Sequence, residues 1–171
     1  MHIQKNMVTN QNIINEFKLI NLENAKVEIP KSKGIYIWLD HNDEIVYVGI
    51  ACGKNGLHHR ICNQHLNPNY LEFRESKHNE KDVFQLNHAI TRLSKNNTLK
   101  KGIDKSSFRK SLGRNLKLKP GNDTCNYIFS NLQLKILTSD QIEMIKQLEI
   151  QLITQLNPIF NTTYKSINLQ K

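Results

Sequence analysis

A chain of 171 residues and 19.9 kDa points to one domain, with room for two only if both are small, and is long enough to bury a core without metal or disulfide staples. Its 24 Lys and Arg against 15 Asp and Glu give a formal charge of +9, which favours polyanionic partners, nucleic acid first and an acidic membrane surface second. Three cysteines without a Cys-x-x-Cys pair (Cys52, Cys62, Cys125), no apolar run of membrane-spanning length and no signal-peptide core in Met1 to Thr9 exclude a secreted disulfide protein and an integral membrane protein. A reducing, cytoplasmic setting is expected.

Residues 10–22 place Ile13, Phe17 and Ile20 at helical spacing, which predicts a leading helix. Two apolar stretches follow, 34–39 and 44–50, rich in β-branched and aromatic residues and separated by Asp40-His41-Asn42-Asp43; they read as strand, turn, strand. Leu57, Ile61 and His65 share a helical stripe that ends at Asn67-Pro68, because a residue before proline avoids the α region. Val83, Leu86, Ala89, Ile90 and Leu93 predict a helix over 83–93, and Ser106 is placed to cap another that carries Phe108, Leu112 and Leu116. Residues 126–137 read as a third strand. The last helix starts near Ser139 or Asp140, with Asp140 and Glu143 spaced as a capping box, and runs through Ile142, Ile145, Leu148, Leu152 and Leu156 to Asn157-Pro158. The expected fold class is α+β, a small three-stranded antiparallel sheet flanked by helices. It forms a single domain over 1–171 with an N-terminal helical extension (1–30) and a basic helical insertion (about 70–120).

With 40–43 as the turn, Leu39 faces Glu44 and counting outward brings Tyr36 opposite Tyr47 and Gly34 opposite Gly49. Two phenols then stand side by side, next to glycines that a ligand backbone could approach; read plainly, the same pair is ordinary sheet packing. Glu149 falls four residues from both Ile145 and Ile153, so a carboxylate is planted on the apolar face of the last helix. Such a charge needs a partner or a metal unless it sits at the margin and reaches water.

These residues spell a pattern. Gly34-Ile35-Tyr36, ten intervening residues and Tyr47-Val48-Gly49 resemble the signature of the GIY-YIG nucleases, with Val at the central Ile. Arg60 looks like that family's helix arginine. Glu149-Ile150-Gln151-Leu152-Ile153 followed by Asn157-Pro158-Ile159-Phe160-Asn161 is similar to its closing motif; the resemblance covers 33 to about 66 and 126–161. It implies a metal-dependent DNA endonuclease that leaves 5′-phosphate and 3′-hydroxyl ends. Glu149 would ligate one Mg²⁺ or Mn²⁺ ion per site, which acts as a Lewis acid on the phosphate. Arg60 would pair with non-bridging phosphate oxygens, Tyr36 and Tyr47 would bracket the attacking water, and Asn161 would support them.

Two candidates compete as proton acceptor. A phenol of pKa about 10 is ionised in only about one part in a thousand at neutral pH and needs help from Arg60 and the cation, whereas a histidine starts near 6.5. Several family members carry a histidine or tyrosine four residues after the arginine; here that position is Gln64, and His65 follows it. In the lengthened Gly53-Lys54-Asn55-Gly56 segment, Lys54 is a candidate phosphate contact. His58, Cys62 and His65, one helical face with Cys52 and His59 nearby, offer a rival zinc site, although the spacing matches no established zinc motif.

Between Lys95 and Lys119 nine Lys and Arg face one acid, Asp104, a net +8. If Phe108, Leu112 and Leu116 turn inward, Arg109, Lys110, Arg114 and Lys117 project outward as DNA-backbone contacts. A stand-alone chain fits a restriction, phage or mobile-element nuclease, with double-strand cleavage requiring a homodimer or two nicks. The alternatives are a repair-associated nuclease, a non-catalytic nucleic-acid-binding module with the same fold, and an adaptor for an acidic protein.

Overall fold

The computed structural model describes residues 12–75, 90–93 and 99–164. Its elements in chain order are β1 (Lys18–Ile20), α1 (Ala25–Glu28), β2 (Gly34–Leu39), β3 (Ile45–Ala51), α2 (Gly56–His58, continued by π-helical backbone over His59–His65), β4 (Leu71–Glu75), β5 (Ile90–Leu93), β6 (Leu99–Asp104), α3 (Ser107–Leu116), α4 (Asn122–Asn131), β7 (Gln133–Thr138) and α5 (Ile142–Leu156). Where the sequence reading treats the chain as one domain with an insertion, its contacts divide it into two compact units: Met1–Arg60 with Leu132–Lys171, and Ile61–Asn131.

The first unit is built on a four-stranded antiparallel sheet in the order β1-β7-β2-β3. β2 has a strand on each side and is buried at all six positions, which accounts for its continuous apolar run. Its alternate residues Ile35, Ile37 and Leu39 join Val48, Ile14 and Phe17 in a core completed by Ile145, Leu152 and Ile153 of α5. The other face of β2 carries Gly34, Tyr36 and Trp38.

Three local expectations are corrected. Among the described residues the leading helix covers only 12–15; β1 then pairs Lys18 with Ile136 and Ile20 with Leu134, so the sheet has four strands rather than three. Strand pairing here overrides the helical spacing of Ile13, Phe17 and Ile20; Phe17 and Ile20 are buried, whereas Ile13 is half-buried and its neighbour Ile14 is the buried one. The third strand begins at Gln133, because 122–131 form α4. The Asp140–Glu143 capping box is not made: α5 begins after Gln141, whose N–H donates to Ser139 Oγ at 3.1 Å, and Glu143 accepts from Lys146 Nζ at 2.8 Å. The helix ends as expected, with Asn157 in the left-handed region (φ 47°) ahead of Pro158.

The second unit carries the sheet β4-β6-β5, also antiparallel, with α3 and α4. Among the described residues, the expected basic helical insertion is thus sheet over 71–75, 90–93 and 99–104 as well as helix. Of the helix expected over 83–93, residues 83–89 lie outside the described residues and Ile90–Leu93 is strand β5. Ser106 does cap α3, its hydroxyl accepting from Arg109 N at 3.3 Å. Next to that cap, Asp104 is 0% exposed and accepts from Arg109 Nη2, Gly121 N (3.0 Å) and Thr124 Oγ1 (3.0 Å). A buried carboxylate is tolerable only with such saturation. Removing it strands an equally buried guanidinium, so Asp104→Ala should lose ~3–5 kcal/mol in denaturant titration, and a loss below ~1 kcal/mol would show that the pair is dispensable.

Candidate active site

The hairpin does not pair as simple counting predicts. Asp40 Oδ1 accepts from Asn42 N (2.8 Å) and Glu44 N (3.0 Å), Asp40 N donates to Glu44 O (2.9 Å), and Asp43 turns left-handed at φ 61°. Leu39 then pairs with Ile45 but Trp38 with Tyr47, which leaves Val46 as an extra residue in β3. Beyond this bulge Tyr36 stands opposite Gly49 rather than Tyr47, and Gly34 opposite Ala51 rather than Gly49. The two tyrosines still share a face, now diagonally, with ring centroids 6.2 Å apart and planes inclined by 32°.

Gly49 is the reason the Tyr36 ring fits. A Cβ at Gly49 would stand 2.5 Å from Tyr36 Cζ and 2.9 Å from Tyr47 Cε1, so the Tyr36 ring lies across a residue with no side chain. At Gly34 a Cβ would stand 2.8 Å from Leu57 Cδ1 and 3.2 Å from the Leu137 carbonyl carbon. The space beside both glycines is therefore filled by the protein itself and is not open to a ligand backbone, a correction to the reading of the sequence.

Tyr36 is 1% exposed, and burial above all pushes its phenol well above the ordinary tyrosine range. Its hydrogen bond and charge interaction with Tyr47 push the same way, as does Glu149, while the Arg60 guanidinium pulls it down. The guanidinium and the carboxylate, 89 positions apart in the chain (149 minus 60), thus act on one phenol. Glu149 is half-buried, and burial raises its carboxyl above the usual range against the opposing pull of Arg60. Tyr47 is half-buried and Arg60 exposed.

Asn161 performs a supporting task in backbone terms. Its Oδ1 accepts from Val48 N at 2.9 Å and its Nδ2 donates to Val48 O at 2.8 Å, closing the outer edge of β3 between Tyr47 and Gly49. Phe160 N donates to the carbonyl of the bulged Val46 at 3.0 Å. These contacts, absent from the sequence reading, seal an edge strand that would otherwise present open peptide groups. The Asx-type turn residues Asp40 and Asn42 were visible in the chain; nothing in its pattern marks Val46 as the extra residue.

Other nominated residues fall elsewhere. His65 is 1% exposed, with Nδ1 2.8 Å from Ser106 Oγ and its ring edge-on to Phe108, an environment that does not suit a proton acceptor at a reacting phosphate. Arg109 is 0% exposed and paired with Asp104; it is corrected from a DNA contact to a buried structural cation. Lys54, Arg114 and Lys117 are exposed and Lys110 is half-buried. Among the described residues no three His, Cys, Asp or Glu side chains gather, which removes the zinc alternative at His58, Cys62 and His65. The Glu149 carboxylate, half-dehydrated and acting on the Tyr36 phenol, does fit a hard divalent cation that keeps most of its own waters. Comparison of the chain with protein-family models, with characterised proteins and with solved structures finds no match.

The raised Glu149 carboxyl makes a signed prediction. Its native state holds the proton up to a higher pH than the unfolded chain, whose glutamates titrate near 4.3, so stability is lost as pH rises through that window and ionised Glu149 burdens the fold at neutral pH. Glu149→Gln should therefore melt higher than wild type at pH 7, and the difference should vanish below about pH 4. A variant that melts lower at pH 7 would mean that the ionised carboxylate is stabilising.

Proposed function

We propose that this chain is a divalent-metal-dependent DNA endonuclease of the GIY-YIG type. One observation carries the reading: Tyr47, Arg60 and Glu149 all act on the buried Tyr36 phenol within a single compact unit, although the chain supplies them from positions 36 to 149. Two phenols, a guanidinium and a half-buried carboxylate form a set that matches the demands of phosphodiester hydrolysis.

Each side chain has a role that its surroundings support. Arg60, exposed and close to Glu149, meets the non-bridging oxygens of the scissile phosphate, where negative charge grows in the transition state. Tyr36, held neutral by burial, serves as a hydrogen-bond donor and not as a base. Tyr47, the less buried phenol, takes the place beside the attacking water. Asn161 keeps the Val48 peptide fixed between Tyr47 and Gly49, so both phenols keep their direction. Glu149 would hold Mg²⁺ or Mn²⁺, and when bound the ion supplies Lewis-acid stabilisation of the phosphate and the departing oxygen. Lys110, Arg114 and Lys117, on and just beyond α3, remain as sequence-independent backbone anchors after Arg109 is set aside.

The test is relaxation of supercoiled plasmid with Mg²⁺. The wild type should nick, and Glu149→Ala and Arg60→Ala should each slow nicking by ~10²-fold or more while leaving a folded protein. Wild-type rates in both variants would reject this site. DNA binding without cutting by the unaltered chain, whatever divalent ion is supplied, would select the non-catalytic binding module.

A further inference from the structure

We infer that Gly56 is a positioning residue for Arg60: because it carries no side chain, the first turn of α2 docks against the loop before β2, and the place of that turn sets where the Arg60 guanidinium stands. The inference rests on the nuclease reading for its consequence and on backbone geometry for its cause.

The first N–H groups of a helix lack partners within it, and the side chain of the preceding residue usually takes one of them. Asn55, in that position here, makes no side-chain bond to the turn. The loop before β2 supplies the acceptors instead: Leu57 N donates to Ser32 O at 2.8 Å and His58 N to Pro30 O at 3.1 Å. That loop is fixed in turn to the end of β7, since Ser139 N donates to Lys33 O at 3.1 Å. Bonds of this kind need a close approach of backbone to backbone. Gly56 has φ 47°, and a Cβ at this position would overlap the Ser32 carbonyl and stand 2.6 Å from Lys31 O. These neighbours are main-chain atoms, which cannot swing aside as the end of a side chain can. Any other residue at 56 therefore lifts the turn off the loop.

A second contact seats the same turn on the strand. Leu57 is 0% exposed and lies over Gly34, where a Cβ would stand 2.8 Å from Leu57 Cδ1. Tyr36 follows Gly34 by two residues, so it rises from the same face of β2 about 7 Å further along. Arg60 follows Leu57 by three, which makes the two neighbours on one side of the helix, about 4.5 Å apart along its axis. With Leu57 seated on Gly34, Arg60 comes to the side of the strand that carries Tyr36, in keeping with the pull of its guanidinium on that phenol. Displacing the turn by the width of a methyl group displaces Arg60 with it. Gly56 then influences phosphate chemistry without touching phosphate.

The test uses the full chain and three readouts. In Gly56→Ala the amides of residues 57 and 58 should exchange hydrogen about tenfold faster, while exchange in β7 stays at the wild-type rate. In plasmid nicking, kcat should fall about tenfold with KM changed by less than about twofold. In an Arg60→Ala background the same substitution should lower kcat by less than about twofold, because no guanidinium is left to misplace. Leu57→Ala, which removes the side chain over Gly34 without straining the backbone, should shift all three readouts in the same directions and replaces Gly56→Ala if that variant speeds exchange in β7 as well. Unchanged exchange at 57 and 58 overturns the inference, and so does faster exchange there with unchanged kcat. A full tenfold loss in the Arg60→Ala background also overturns it, since Gly56 would then act through something other than Arg60. If the wild type does not cut at all, the nuclease reading fails, and the exchange result alone decides whether Gly56 holds the turn.

Discussion

One inserted residue governs the geometry around the tyrosines. In an antiparallel pair each one-residue change of register exchanges the faces, so a hairpin is tuned by where it spends an extra residue. Here Val46 is that residue: on the turn side Leu39 meets Ile45, and on the far side Tyr36 meets Gly49. Two consequences follow together. The Tyr36 ring gains a floor with no side chain, and Tyr47 moves to the diagonal position where its ring tilts against Tyr36 at 6.2 Å. The carbonyl left over at the bulge is satisfied by Phe160 N, and the neighbouring edge by Asn161, so the closing segment of the chain stabilises the irregularity that the site needs.

The two units handle buried charge in opposite ways. In the second, Asp104 and Arg109 are fully buried and paired with each other, with Thr124 and Gly121 completing the carboxylate's needs, while Arg109 Nε alone of the guanidinium nitrogens has no partner among the described residues. That arrangement suits architecture: each group is tolerable only because the other is present. In the first, burial opposes the ionised form of Glu149 and Arg60 compensates only in part. A carboxylate left short of compensation is a poor structural element and a good place for a cation. Stability given up at such a position is the usual signature of a site shaped for something other than folding.

Much of this was legible in the chain, for physical reasons that differ by element. β2 and β3 announce themselves through dense β-branched and aromatic runs, and α5 through a long apolar period closed by Asn157-Pro158. The set Tyr36, Tyr47, Arg60 and Glu149 was readable because residue type and order survive in sequence even when geometry does not. What local pattern hides is any outcome set by pairing at a distance. Lys18–Ile20 becomes strand because β7 offers it an edge, and Arg109 turns inward because Asp104, five residues earlier, waits in the core. Both were read from spacing alone, which cannot see the partner. The bulge belongs to the same class: the extra residue is chosen by packing on either side of it, and no residue type marks Val46.

The most direct measurement of the central constraint is a double-mutant cycle on the Tyr36 and Gly49 pair, read by denaturant unfolding. Gly49→Ala in the wild-type background should cost ~1–3 kcal/mol, because the new methyl collides with the Tyr36 ring, and the same substitution in a Tyr36→Leu background should cost much less. An equal penalty in both backgrounds would mean that the ring does not lie over Gly49, and the bulged register with the site built on it would be wrong.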